Sequence, residues 1–138
     1  MIIFMVWKGL GTSIILYLAG LQNIPRSYYE AAMVDGANGF QKFTKITIPL
    51  LSPVTFYILI TTLIGGFQVF VEVQVMTPSG NGGIGYSAAT IVFYLYQKAF
   101  ESYQLGYASA IAVILAIIIF FITLLNFIGQ NKWVKTID

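Results

Sequence analysis

From Ile111 to Ile122 the chain reads Ile-Ala-Val-Ile-Leu-Ala-Ile-Ile-Ile-Phe-Phe-Ile, without one polar side-chain atom. About ten strongly apolar residues at roughly −0.5 kcal/mol each favour insertion of such a run into a bilayer by about −5 kcal/mol. Hydrocarbon holds no water, so every backbone N–H and C=O must pair within the segment, and a helix crossing about 30 Å needs roughly 20 residues. The run extends from about Tyr107 to Ile128, and two further stretches reach a similar length, from about Met1 to Leu21 and from about Leu50 to Phe70. The predicted fold is all-α: a polytopic membrane protein with three transmembrane helices at about 1–21, 50–70 and 107–128, joined by loops at about 22–49 and 71–106.

Composition narrows the function. There is no His and no Cys, which removes the commonest metal ligands, the usual general base near neutral pH and every thiol nucleophile. We therefore expect no enzyme activity, no metal and no cofactor on this chain. A net charge of +2 with scattered Lys and Arg gives no contiguous basic face for nucleic acid. Lys8 interrupts the first stretch, and an ammonium near a helix centre costs about 2.5 to 3.5 kcal/mol. Two readings stand for it: snorkelling to the nearer interface, or facing a partner helix or an aqueous cavity.

Orientation follows from basic residues, which stay on the cytoplasmic side. Arg26, Lys42, Lys45, Lys132 and Lys135 flank one side, against Lys98 alone on the other. The loop from Gln22 to Pro49 and the C-terminus are expected in the cytoplasm of a cell whose inner or plasma membrane the chain spans. Trp7, Tyr86, Tyr94, Tyr96, Tyr103, Tyr107 and Trp133 lie near span ends, as interfacial anchors do. In the outer loop, Thr77 to Gly85 is a turn cluster, and Ala88 to Phe100 is an apolar stretch too short to span. The second of these is expected to be an interfacial or re-entrant helix.

The polar loop carries the most information. Pro25 ends the first span and suits the start of a new helix over Ser27 to Ala37. Gly36 and Gly39 are candidates for positive φ, a second short helix is expected from about Phe40 to Thr47, and Pro49 is expected to stop it. On its own chemistry this hairpin is either a solvated amphipathic loop or a surface that a soluble partner grips.

On the second stretch, Thr61, Gly65, Gln68 and Glu72 recur at spacings of four, three and four, which puts them on one helical stripe. They are either part of a translocation path, with Gln68 and Glu72 meeting substrate hydroxyls, or interfacial and packing residues. Ala108, Ala112 and Ala116 form a small-residue ridge expected to pack against another helix, and Asn126 either bonds to a neighbouring helix or approaches the interface.

Glu30-Ala31-Ala32, then Gly36, then Ile46-Thr47-Ile48-Pro49 resembles the EAA motif of the inner-membrane permease subunits of binding-protein-dependent ABC importers, with Ile48 where Leu is usual. Trp7-Lys8-Gly9-Leu10-Gly11, Leu18 to Pro25, Asp35-Gly36-Ala37, Gly66 to Phe70, Val75-Met76-Thr77 and Tyr107 to Ala110 resemble its carbohydrate-importing branch, including the maltose-type and glycerol-phosphate-type permeases. The likeness covers essentially all of the chain but only the later half of such a permease. Met1 opening directly into an apolar span agrees with a fragment.

What the resemblance implies is a coupling loop whose residues Glu30, Ala31, Ala32, Asp35, Gly36, Ala37, Ile46 and Pro49 meet a cytosolic ATPase subunit. Glu30 would contact a basic side chain there, while Asp35 and Gly36 would shape the turn. It also implies a second permease subunit, an extracytoplasmic solute-binding protein and a sugar substrate, with ATP hydrolysed on the separate subunit. The alternatives are an ABC permease for amino acids, peptides or anions, and a non-transporting membrane scaffold or truncated remnant.

Overall fold

A computed structural model describes residues 1–77 and 81–130, and every regular element among them is helical. Helix α1 (Ile2–Gln22) leads into a hairpin of α2 (Arg26–Val34) and α3 (Gly39–Lys42). A π-helical turn (Phe43–Thr47) joins α3 to α4 (Ile48–Leu50), and α5 (Ser52–Phe67) follows. Then come α6 (Val71–Met76), a 3₁₀ turn (Ile84–Tyr86), α7 (Ile91–Tyr96) running into a second π turn (Gln97–Glu101), and α8 (Leu105–Gln130). Lys132, Trp133 and Lys135, which enter the orientation count, lie outside the described residues.

Among the described residues α1 and α8 are each long and apolar enough to cross a membrane. The second stretch differs from the expected continuous span of 50–70. Its helix, α5, has 16 residues, about 24 Å at 1.5 Å per residue, which falls short of a bilayer core of about 30 Å. It supplies a third span only if counted with the preceding helical segment Gly39–Leu50, to which it is bent by 56°. The physical cause lies around Pro49, which does not stop the helix as expected. A proline ring clashes with the carbonyl four residues back and offers no N–H. The widened π turn relieves that clash, with Ile48 N–H donating to the Phe43 carbonyl. The chain bends at Leu51 instead, where Ser52 Oγ donates to the Pro49 carbonyl at 2.7 Å.

Antiparallel helices α1 and α5 meet at Gly20, where an added Cβ would stand 2.8 Å from Val54 Cγ2 and 3.0 Å from Leu51 Cδ2. Tyr17 donates its hydroxyl to Thr55 Oγ1 at 3.2 Å one turn away. Helix α8 returns antiparallel to α5, with the Phe127 ring edge-on to Phe56 at 5.4 Å, so its C-terminal end and the hairpin share one end of the bundle. The packed face of α8 is Ala108, Ile111, Leu115, Ile119, Ile122 and Asn126, a stripe at helical spacing. The expected alanine ridge is therefore only partly packed, since Ala112 and Ala116 are exposed. Asn126 turns its amide to its own helix, donating to the Ile122 carbonyl at 2.8 Å.

Large apolar residues such as Ile3, Trp7, Ile15 and Leu125 are exposed on the helix surfaces. That distribution suits hydrocarbon as solvent, where helices associate by close packing rather than by burial from water. At the end opposite the hairpin, Val73 and Phe93 are fully buried. Rings run from Phe93 to Phe70, from Phe70 to Tyr96 and from Tyr96 to Phe100, with centroids 6.3, 4.8 and 5.1 Å apart. Thr90 caps α7 by accepting from Phe93 N–H and donates to the Val69 carbonyl. The expected helix of 88–100 is thus split into a short α7 and a π turn, packed against α8 and against Val69 and Phe70 beyond the end of α5.

Candidate functional site: a polar hairpin and a charged bundle end

The hairpin begins where Pro25, with φ −59 and ψ 135, stands as the N-cap of α2. Its missing N–H sits where no helical acceptor exists. Past the end of α2 the chain turns at Gly36, whose φ of +74 places it in the region that glycine enters without a Cβ penalty. Gly39, the other glycine expected to turn, instead takes the first position of α3 in helical geometry. The turn is closed by backbone: Asp35 N–H to the Ala31 carbonyl at 3.0 Å, Gly36 N–H to Met33 at 3.1 Å and Ala37 N–H to Ala32 at 2.9 Å. Among the described residues no hydrogen bond to the Asp35 carboxylate is found, so the turn closes without that side chain.

Helix α3 opens with a capping box. Asn38 Oδ1 accepts from Gln41 N–H at 2.8 Å, and Gln41 Oε1 accepts from Asn38 N–H at 2.9 Å. The signal was present as Asn-Gly-Phe-Gln.

Of the eight hairpin residues singled out, Glu30, Ala31, Asp35 and Gly36 are exposed, whereas Ala32, Ala37, Ile46 and Pro49 are half-buried. Ala32, Asp35, Ala37 and Ile46 line a groove of about 370 Å³ together with Gln41, Lys42 and Lys45. Beside Glu30 on α2 the apolar Met33 and Val34 are exposed too, Val34 at 89%, as is Phe40 on α3. A carboxylate rimmed by apolar side chains can form a charge-assisted hydrogen bond to a partner's Arg or Lys while burying apolar area around it.

The four residues on the second stretch do not share one helix. Thr61 and Gly65 are on α5, Gln68 is its C-cap, and Glu72 belongs to α6 beyond a break at Val69 and Phe70. Gly65 and Gly66 weaken the last turn of α5, and Gln68 N–H closes it on the Ile64 and Gly65 carbonyls. Thr61, Gly65 and Gln68 are exposed.

Glu72 is engaged. Lys8 Nζ donates to Glu72 Oε1 at 2.7 Å, so the second reading of Lys8, facing a partner, is the one the geometry realises. The Lys8 hydrogen bond, together with a backbone donor and its positive charge, holds the Glu72 carboxyl below its ordinary range. The lysine side chain is 65% exposed and the glutamate 15%, so in water the pair is worth about 0 to 1 kcal/mol. Its contribution is complete above the ordinary carboxyl value of 4.5 and is lost as pH falls through the lowered value in the folded chain. Lys8→Met should therefore reduce detergent-solubilised stability at neutral pH by that amount and flatten the acid limb of a melting-temperature profile. An unchanged profile would show that the pair does not persist.

A larger, shallow apolar groove of about 650 Å³ runs along α5 beside Tyr17 of α1 and includes Thr55, Thr62, Gly66 and Phe67 in its wall. The sequence signal for its hydroxyls is Thr55 and Thr62 seven residues apart, on one face. Among the described residues no three metal-ligating side chains converge.

The sequence profile for the binding-protein-dependent transport system inner membrane component matches residues 1–133. The chain is 42% identical over 134 residues to the probable ABC transporter permease protein YesP of Bacillus subtilis (strain 168), covering 97% of this chain and 43% of that one. It is 42% identical over 127 residues to the arabinooligosaccharides transport system permease protein AraP of the same organism, covering 91% and 40%. To the lactose transport system permease protein LacF of Rhizobium radiobacter it is 38% identical over 132 residues, covering 95% and 44%. It thus spans about two fifths of the length of these relatives. On residues 1–133 and on these likenesses, the chain belongs to the family of binding-protein-dependent transport system inner membrane components.

Proposed function

We propose that this chain forms part of the translocation path of an ATP-driven sugar importer and couples it, through the hairpin of 22–49, to a cytosolic ATPase subunit. The observation that carries the reading is the exposed acidic and apolar face of α2, Glu30 with Met33 and Val34, at one end of a membrane-length bundle. Sugar as substrate is supported by relatives named for arabinooligosaccharide and lactose transport. In this reading α1, the bent pair of Gly39–Leu50 with α5, and α8 are three spans. The hairpin and the C-terminus lie in the cytoplasm, in accord with the basic-residue count. A second permease subunit and an extracytoplasmic binding protein complete the path and deliver substrate.

Thr61, Gly65, Gln68 and Glu72 remain the candidate path residues, now as the end of α5 and the start of α6 rather than one stripe. The test is uptake by proteoliposomes holding the intact transporter with its ATPase and binding protein, supplied with labelled oligosaccharides or amino acids. ATP-dependent accumulation of an oligosaccharide supports the reading, and accumulation of amino acids alone contradicts it. In the same assay Gln68→Leu should lower sugar uptake about threefold to tenfold, the range for one lost hydrogen bond. An unaltered substrate profile would make Gln68 a capping residue only.

A further inference from the structure

We infer that the Tyr29–Thr47 hydrogen bond is the link through which movement of α2 reaches α5, which makes Tyr29 and Thr47 positioning residues for coupling; this rests on the reading that α2 docks an ATPase subunit. Helix α2 is tethered weakly. Pro25 and the positive-φ Gly36 bound it, and a groove of about 370 Å³ separates it from α3 and the π turn. A helix bounded in this way can swing into the groove when pushed, leaving the bundle where it was.

One contact opposes that slip. The Tyr29 and Thr47 hydroxyls share a hydrogen bond of 2.9 Å, and among the described residues it is the one side-chain hydrogen bond from α2 to any other element. Thr47 is only 8% exposed, and a hydrogen bond sheltered from water resists exchange with solvent. Tyr29 directly precedes Glu30 in the chain, so a pull on the exposed carboxylate is borne at the next residue.

From Thr47 the route to the bundle is short. Leu51 N–H donates to the Thr47 carbonyl at 3.0 Å, Thr55 Oγ1 donates to the Leu51 carbonyl at 3.1 Å, and Tyr17 of α1 donates to Thr55 Oγ1. A load entering at Tyr29 therefore arrives on both α5 and α1.

The experiment uses the intact reconstituted transporter and measures sugar imported per ATP hydrolysed, together with the ATPase subunit that co-purifies. Tyr29→Phe and Thr47→Val each delete one hydroxyl and preserve shape, and Thr47→Ser keeps the hydroxyl. The expected result is wild-type ATPase recovery, a ratio reduced about threefold to tenfold in either deletion, a double variant no worse than the poorer single, and a near-normal ratio for Thr47→Ser. An unchanged ratio with ATPase docked, or lower transporter yield at an unchanged ratio, overturns the inference and leaves the docking reading intact. A wild-type complex that recruits no ATPase overturns the docking reading and this inference with it.

Discussion

Glu30→Lys in the intact transporter should cut ATP-dependent uptake at least about tenfold while membrane insertion and abundance stay at wild-type levels. Glu30 is exposed within this chain, and among the described residues its side chain takes part in no hydrogen bond or ion pair, so its reversal costs the fold little. On a partner surface the outcome is different. Truncating or reversing one member of a desolvated charge pair costs about 2 to 5 kcal/mol of affinity, which corresponds to roughly 30-fold or more in dissociation constant. Glu30→Gln, which keeps shape and an acceptor, should fall between the two. Co-purification of the ATPase with each variant is the check, and unaltered uptake with Glu30→Lys would remove Glu30 from the coupling role.

The largest effect on stability is expected at Gly20. Alanine there places its Cβ 2.8 Å from Val54 Cγ2 and 3.0 Å from Leu51 Cδ2, closer than packed carbons tolerate. Val54 is β-branched and stiff at χ1, so relief requires α1 and α5 to part, which also stretches the Tyr17–Thr55 hydrogen bond. Overpacking of this kind costs about 1 to 3 kcal/mol. Valine or isoleucine should exceed alanine because each adds further atoms at the same seam. Thermal unfolding in detergent reads the effect, and equal stability for glycine and alanine would mean that the two helices already sit further apart. Gly9, where an added Cβ meets nothing within 4 Å, provides the matched control on the same helix.

The sequence and the structure agree where one local rule dominates. The runs through α1 and α8 are apolar enough that length alone locates them, and the ends differ from expectation by two residues or fewer. Pro25 and Gly36 likewise act at the positions their backbone preferences dictate. Agreement fails where two rules compete. Pro49 signals a stop, but five residues of π geometry before it absorb the ring, and nothing in the local pattern distinguishes a stop from a widened turn. The stripe from Thr61 to Glu72 assumes an unbroken helix; Gly65 and Gly66 weaken it, and packing of Phe70 against Phe93 and Tyr96 favours an end at Phe67. Pairing of Lys8 with Glu72 spans 64 positions and has no local signature. The Tyr29–Thr47 bond was hidden for the same reason, since it depends on how the hairpin closes.

The most direct measurement is photo-crosslinking from position 34, where the Val34 side chain is 89% exposed beside Glu30. A photoreactive residue is introduced there in the intact transporter and irradiated in native membranes. The expected product is a covalent adduct with the cytosolic ATPase subunit, diminished by Glu30→Lys. Adducts with lipid alone, or with a protein on the extracytoplasmic side, would contradict the assignment of this hairpin as the element that the ATPase grips.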